Sequence, residues 1–199
     1  MNRLIEANIV NEILLEVQNG LGRIFVKNLL FGFVCGGFSK GYADKEHDID
    51  IFVCLGRRET EKEYEEYLRW YFALHNKYGV KPDYDYPGEI VTHDYLVETL
   101  SILKTLVLTL EIKEVKTKKA IIWADMITSK TTGHVGTHLE LLHELKREYK
   151  KYPEKWKQEV LALVSEDDRI FWKEKNHLFI MEHFMKYPKY DGKKLNDKY

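Results

Sequence analysis

The chain has 199 residues and a mass of 23.7 kDa, enough to bury a real core in one domain or two small ones. With 32% charged and 44% hydrophobic residues it has an ordinary globular composition, and a formal net charge of -1 supplies no global field toward nucleic acid or an acidic membrane. No segment approaches the roughly 18 uninterrupted apolar residues of a membrane span. Met1-Asn2-Arg3-Leu4-Ile5-Glu6 lacks the apolar stretch of a signal peptide, and the two cysteines, Cys35 and Cys54, lie in apolar runs as packed thiols. A reducing cytoplasm and no membrane partner are therefore expected.

Leu4, Ile5, Ile9, Ile13, Leu14 and Val17 recur at helical spacing and predict an amphipathic first helix that Asn19-Gly20 ends. Residues 29–35 read as a buried strand and residues 48–55 as a second. Between Glu59 and Tyr78, acids enrich the first turn, and Tyr64, Tyr67, Leu68, Tyr71, Phe72 and His75 follow at three- and four-residue steps. This aromatic stripe is read as packing a helix on a sheet, in preference to a base-stacking platform. Residues 80–86 are the expected third strand.

Beyond Thr92 strands become scarce. Thr92 would cap a helix containing Tyr95, Leu96, Leu100 and Leu103, and Ala120–Ile127 suits either a buried strand or a short helix. Thr128–Gly133 reads as a loop, then Val135–Tyr152, Glu154–Val164 and Asp168–Tyr187 as helices. Residues 188–199, rich in lysine and poor in apolar side chains, read as a loose tail. The expected fold is α+β: a small mixed β-sheet with flanking helices, followed by a helical C-terminal half. The expected organisation is a core over 1–92, a mostly helical domain over 93–187 and the tail.

The chemistry concentrates in Gly36-Gly37-Phe38-Ser39-Lys40-Gly41 and His47-Asp48-Ile49-Asp50-Ile51-Phe52-Val53. In an extended segment Asp48 and Asp50 project to one side while Ile49, Ile51 and Val53 enter the core. Two like charges held so close disfavour each other's ionisation unless a cation lies between them. Magnesium, a hard cation that takes carboxylate, water and phosphate oxygens, suits such a pair. The glycine turn lets backbone amides approach an anionic phosphate, with the Ser39 hydroxyl and Lys40 ammonium as further donors.

Phe33-Val34-Cys35-Gly36-Gly37, ten intervening residues, then Asp48-Ile49-Asp50-Ile51 resembles the signature of the nucleotidyltransferase superfamily related to DNA polymerase beta. The resemblance covers about the first half of the chain. It implies a nucleotidyltransferase-type sheet and a magnesium-dependent transfer of a nucleoside monophosphate from ATP or another nucleoside triphosphate to a hydroxyl-bearing acceptor. In that reading Gly36, Gly37, Ser39 and Lys40 hold the triphosphate, and Asp48 and Asp50 bind the metal with a third carboxylate. Asp83, Asp85 and Glu89 are the candidates for the third. Gly37 departs from the pattern, where serine is the common occupant.

In that superfamily the appended helical segments vary with the acceptor. Trp123, Asp125, Lys130, His134 and His138 are the polar or aromatic residues placed to reach a cleft from the central loop, with Asp125 as a candidate base. The acceptor is expected to be a small-molecule or protein hydroxyl; an RNA end is disfavoured by the near-neutral charge. His134 and His138 share a face if both are helical, yet Val135 and Gly136 follow where a zinc helix needs a glutamate, so zinc is set aside. The competing reading is a non-catalytic nucleotide-binding or protein-interaction module on the same scaffold.

Overall fold

The computed structural model describes residues 4–84, 86–106 and 115–152; the expected helices over 154–164 and 168–187, the tail and Asp85 lie outside the described residues. Helix α1 spans Ala7–Phe25 and leads through a short 3-10 turn into strand β1, Leu29–Val34. A five-residue helix α2, Gly36–Lys40, precedes β2, Ile51–Leu55, and then come α3, Glu61–Tyr78, and β3, Glu89–Thr92. Helices α4, His93–Thr105, and α5, Val115–Thr128, are followed by β4, Thr132–Val135, and α6, Leu139–Tyr149.

The four strands form one mixed sheet in the order β3-β2-β1-β4. β1 runs antiparallel to both neighbours, while β2 and β3 are parallel, as the α3 crossover between them requires. Strand alternation divides the core in two. Ile49, Ile51 and Val53 face α1 and α3 together with Tyr67, Tyr71 and Phe72, all buried, so the aromatic stripe packs as expected. Phe33, Phe52 and Cys54 face the other way, onto Leu96 and Leu100 of α4, Trp123 and Ile127 of α5, and Leu142 and Leu145 of α6. Both cysteines are free and buried. Among the described residues no helix is long and apolar enough to cross a membrane.

Local signals explain several boundaries. Thr60 and Glu63 form a complete capping box at the start of α3, and Gly79, at φ 64°, ends it in the left-handed region. Other expectations need correction. α1 does not stop at Gly20 but continues to Phe25; Gly20 is buried under Trp70, and a Cβ there would fall 2.3 Å from the indole ring. The glycine marks a close helix–helix approach. The third strand is Glu89–Thr92, not 80–86: Pro82 and Pro87 deny the earlier segment ladder donors, and the Pro87 carbonyl accepts instead from the Tyr67 hydroxyl at 2.9 Å.

The segment Ala120–Ile127 belongs to a helix, buried on most of its sides, which is why its apolar run lacks a readable period. The expected helix from Val135 starts only at Leu139, because Thr132–Val135 pairs with the free edge of β1. Gly136 permits that approach: a Cβ there would lie 2.3 Å from the Leu30 carbonyl oxygen. β4 thus brings a segment from beyond residue 92 into the same sheet as β1, β2 and β3.

Two glycines of α1 give a paired test. Gly20→Ala should lower stability by about 1–3 kcal/mol through overpacking against Trp70. Gly22, with nothing within 4 Å of its virtual Cβ, should gain roughly 0.5–1 kcal/mol on substitution by alanine. Urea denaturation midpoints at constant m-value distinguish the two.

Candidate functional site

The β1–β2 ladder runs one pair past its regular strands: the Cys35 amide donates to the Asp50 carbonyl at 2.9 Å. This bond brings the glycine turn against the second aspartate. Gly36 has φ 63°, a conformation that favours glycine, and a Cβ built there would lie 1.6 Å from Asp50 Oδ2. The carboxylate therefore fills the space a side chain would take, and it accepts a hydrogen bond from the Gly37 amide. Glycine is required at 36 by backbone and by contact alike.

Asp48 and Asp50 precede β2, which begins at Ile51, and are not ladder residues within it. Ile49 between them is fully buried. Its amide donates to His75 Nε2 at 2.9 Å, so the imidazole proton is on Nδ1, which donates to the Tyr71 carbonyl at 2.8 Å. Burial holds His75 down at about 4, keeping it neutral. Tyr71 donates its hydroxyl to Asp48 Oδ2 at 3.5 Å and accepts from the Asp83 amide at 3.3 Å. One turn of α3 thus fixes the acidic segment and the start of the 83–88 connection.

The electrostatics tie three aspartates together. Burial, then Asp50 and Asp83, push Asp48 up to about 7, while burial and then Asp83 raise Asp50 against the opposing pull of Lys40 and His47. Burial first, then Asp50, Asp48 and Asp125, raise the Cys35 thiol, with Lys40 acting the other way. Asp48, Asp50, Asp83, Asp125 and Lys40 consequently share one electrostatic neighbourhood at the end of β1 and β2. Among the described residues, no group of three or more His, Cys, Asp or Glu side chains is arranged to hold a metal ion by itself. Magnesium commonly takes only one or two protein carboxylates and completes its shell with water and phosphate, so two half-buried aspartates with raised pKa values, one of them seated on the side-chain-free Gly36, fit it.

The remaining sequence candidates separate. Lys40 is exposed beside the pair. Ser39 is buried and donates its hydroxyl to the Lys130 carbonyl, so that proton is not directed at a phosphate. Gly37 stands where serine would crowd the 42–47 loop: a Cβ would come 3.2 Å from His47 Cδ2 and 3.3 Å from Tyr42 Cε2. Glu89 lies at the start of β3, cross-strand from Phe52, 6% exposed. Burial raises it to about 7 despite nearby Lys119 and a hydrogen bond from Trp123.

Trp123 is likewise buried in the core and does not line an open cleft. Asp125 accepts from Ser129 Oγ at 3.4 Å. His134 lies on β4, with Nε2 2.7 Å from Thr131 Oγ1, whereas His138 precedes α6 and pairs with Glu140 at 2.9 Å. The two histidines do not share a helix face. His47, Tyr71 and His75 belong to the site but escaped the sequence reading; His47 was signalled only by its position beside Asp48, the other two by nothing beyond helical spacing. In comparisons with known proteins, no family model, no curated protein and no solved structure matches the chain.

Asp48 and His75 oppose each other in pH dependence. Asp48 holds its proton more tightly when folded, so stability falls as pH rises from about 4 to about 7; His75 holds its proton less tightly, so stability falls as pH drops from 6.5 to about 4. Without divalent cation, Asp48→Asn should be more stable than wild type at pH 8 by about 2 kcal/mol, and no more stable at pH 4. Thermal denaturation in chelator at the two pH values measures the difference.

Proposed function

We propose that this chain transfers a nucleoside monophosphate from ATP or another nucleoside triphosphate to a hydroxyl-bearing small molecule or protein, in the manner of the nucleotidyltransferase superfamily it resembles. The observation that carries the reading is the seat of the Asp50 carboxylate on Gly36, with Asp48 and Asp83 raising the charge density around it. Asp48 and Asp50 would hold magnesium. When bound, that ion offsets the charge of the triphosphate and lowers the pKa of the attacking hydroxyl.

The chain's own groups supply the rest. The Gly37 amide, exchanged from Asp50 to a phosphate oxygen, and the Lys40 ammonium would anchor the triphosphate. Asp83, or Asp85 beside it, would add the third carboxylate; Glu89 sits on the neighbouring strand as its rival. The acceptor oxygen bonds to the α-phosphorus as the bridging bond to the β-phosphate breaks. Pyrophosphate leaves with that electron pair, and the acceptor's proton passes to a carboxylate, for which Asp125 is the candidate base.

A non-catalytic nucleotide-binding module is the second reading, favoured by one pair of contacts: the Gly37 amide is taken by Asp50, and the Ser39 hydroxyl by Lys130. Both readings meet the same experiment. Purified protein is incubated with magnesium, α-labelled triphosphates and a panel of small-molecule, protein and RNA acceptors. Labelled acceptor, lost by about 100-fold or more in Asp50→Asn and Asp48→Asn, supports transfer. Triphosphate binding by calorimetry with no labelled product across the panel supports the module, and unchanged transfer in Asp50→Asn removes that residue from the reaction.

Protons compete with the metal at Asp48. Magnesium affinity, measured by titration calorimetry, should therefore fall as pH drops below about 7, and the dependence should weaken in Asp48→Asn, where only Asp50 still binds a competing proton.

A further inference from the structure

Helix α6 carries two stripes. Leu142, Leu145 and Tyr149 are buried against the sheet, while His143, Lys146, Arg147 and Lys150, at steps of three, four and seven, line the other side. With Thr128 at the end of α5 they line an open cleft of about 420 Å³. Four of its five lining residues are basic, and none is acidic. Of the three carboxylates on α6, Glu140 pairs with His138 and also feels His143, Glu148 pairs with Lys104, and Glu144 is exposed to solvent. Among the described residues no carboxylate pairs with His143, Lys146, Arg147 or Lys150.

Cations in the last turn of a helix are ordinary complements to its dipole, which accounts for Lys146 and Arg147 taken singly. The dipole does not account for the concavity, for His143 a turn earlier, or for the half-buried position of Lys146. Burial lowers the Lys146 ammonium, and burial, Lys146 and His143 lower His134 nearby. Three cations, Lys146, Arg147 and Lys150, are thus gathered with Lys146 partly removed from water, and none of the three makes a salt bridge among the described residues. Lys146 also donates to the Thr131 hydroxyl, fixing it at the mouth of the 129–131 loop.

We propose that this cleft is an oxyanion site that binds the phosphate or diphosphate group of a small ligand. A compact polyanion satisfies a planar guanidinium and two ammonium groups lining one cleft; the Thr128 hydroxyl donates to the Ala124 carbonyl and serves only as wall. The site does not depend on nucleotidyl transfer at the carboxylates.

The test is a titration of the full chain with pyrophosphate in chelator, followed by amide chemical shifts and calorimetry. Saturable binding that moves Thr128–Thr131 and His143–Lys150 is expected. Arg147→Glu should weaken it by about tenfold or more, while Lys62→Glu, the same charge change on α3, should alter it less than about twofold. Lys150→Gln, beyond the end of α6, should weaken it with folding intact, and Asp50→Asn should leave it unchanged. Absence of saturation, shifts confined to Gly36–Lys40, or equal weakening by Lys62→Glu would overturn the proposal. So would failure of pyrophosphate beside tight, salt-sensitive binding of a short single-stranded RNA to the same amides, which would assign the face to a nucleic acid backbone.

Discussion

The contact between the Asp50 carboxylate and the bare backbone of Gly36 is the constraint around which the rest of the sheet end is arranged. It exists because one hydrogen bond, from the Cys35 amide to the Asp50 carbonyl, carries the β1–β2 ladder past its regular residues and sets the turn directly over the aspartate. An ionisable group half-removed from water is costly unless it gains donors or a counter-charge. Asp50 has the Gly37 amide and the field of Lys40; Asp48 has the Tyr71 hydroxyl. These offset burial only in part, and both groups remain raised. A cation would relieve what the protein groups leave over.

The two-faced sheet explains how such a site can be held at its edge. Alternate residues of β2 anchor in opposite cores, Ile51 and Val53 toward α1 and α3, Phe52 and Cys54 toward α4, α5 and α6. Neither face leaves the strand free to rotate, because a one-residue slip would exchange every contact. The acidic segment inherits that register through Ile49. On the opposite side of the turn, Ser39 ties α2 to the 129–131 loop, and Lys146 holds the same loop from α6. Segments far apart in the chain therefore meet around a three-residue connection.

What could be read from the residues alone follows from how local each cause is. The capping box of α3, the buried strand before Gly36 and the apolar residues alternating with Asp48 and Asp50 are local, and the structure agrees with them. Gly20 was misread because a helix-stopping glycine and a glycine under an indole look the same until the partner helix is known. β4 is not legible because a four-residue strand that contains Gly133 and is followed by Gly136 carries almost no period, and its pairing is decided by the open edge of β1. The displaced third strand reflects proline: Tyr84 and Tyr86 have strand character, but Pro82, Pro87 and the Tyr67 bond to the Pro87 carbonyl keep these two residues off the ladder. In the site, the Gly36–Asp50 proximity was implied by spacing, whereas the bond from Ile49 to His75 was not, because it joins residues 26 apart through a side chain that reads as simple packing.

That last bond makes α3 and the acidic segment a single mechanical part. The backbone between the two aspartates is pinned to an imidazole whose other nitrogen is pinned to the helix's own carbonyl, so the carboxylates can reorient about their side-chain torsions but cannot translate unless an eighteen-residue rod goes with them. Rearrangement at this edge is thereby channelled into rotamers on one side and into the short glycine segment on the other. The stiffness of the catalytic candidate is a property of the crossover helix as much as of the strand that bears it.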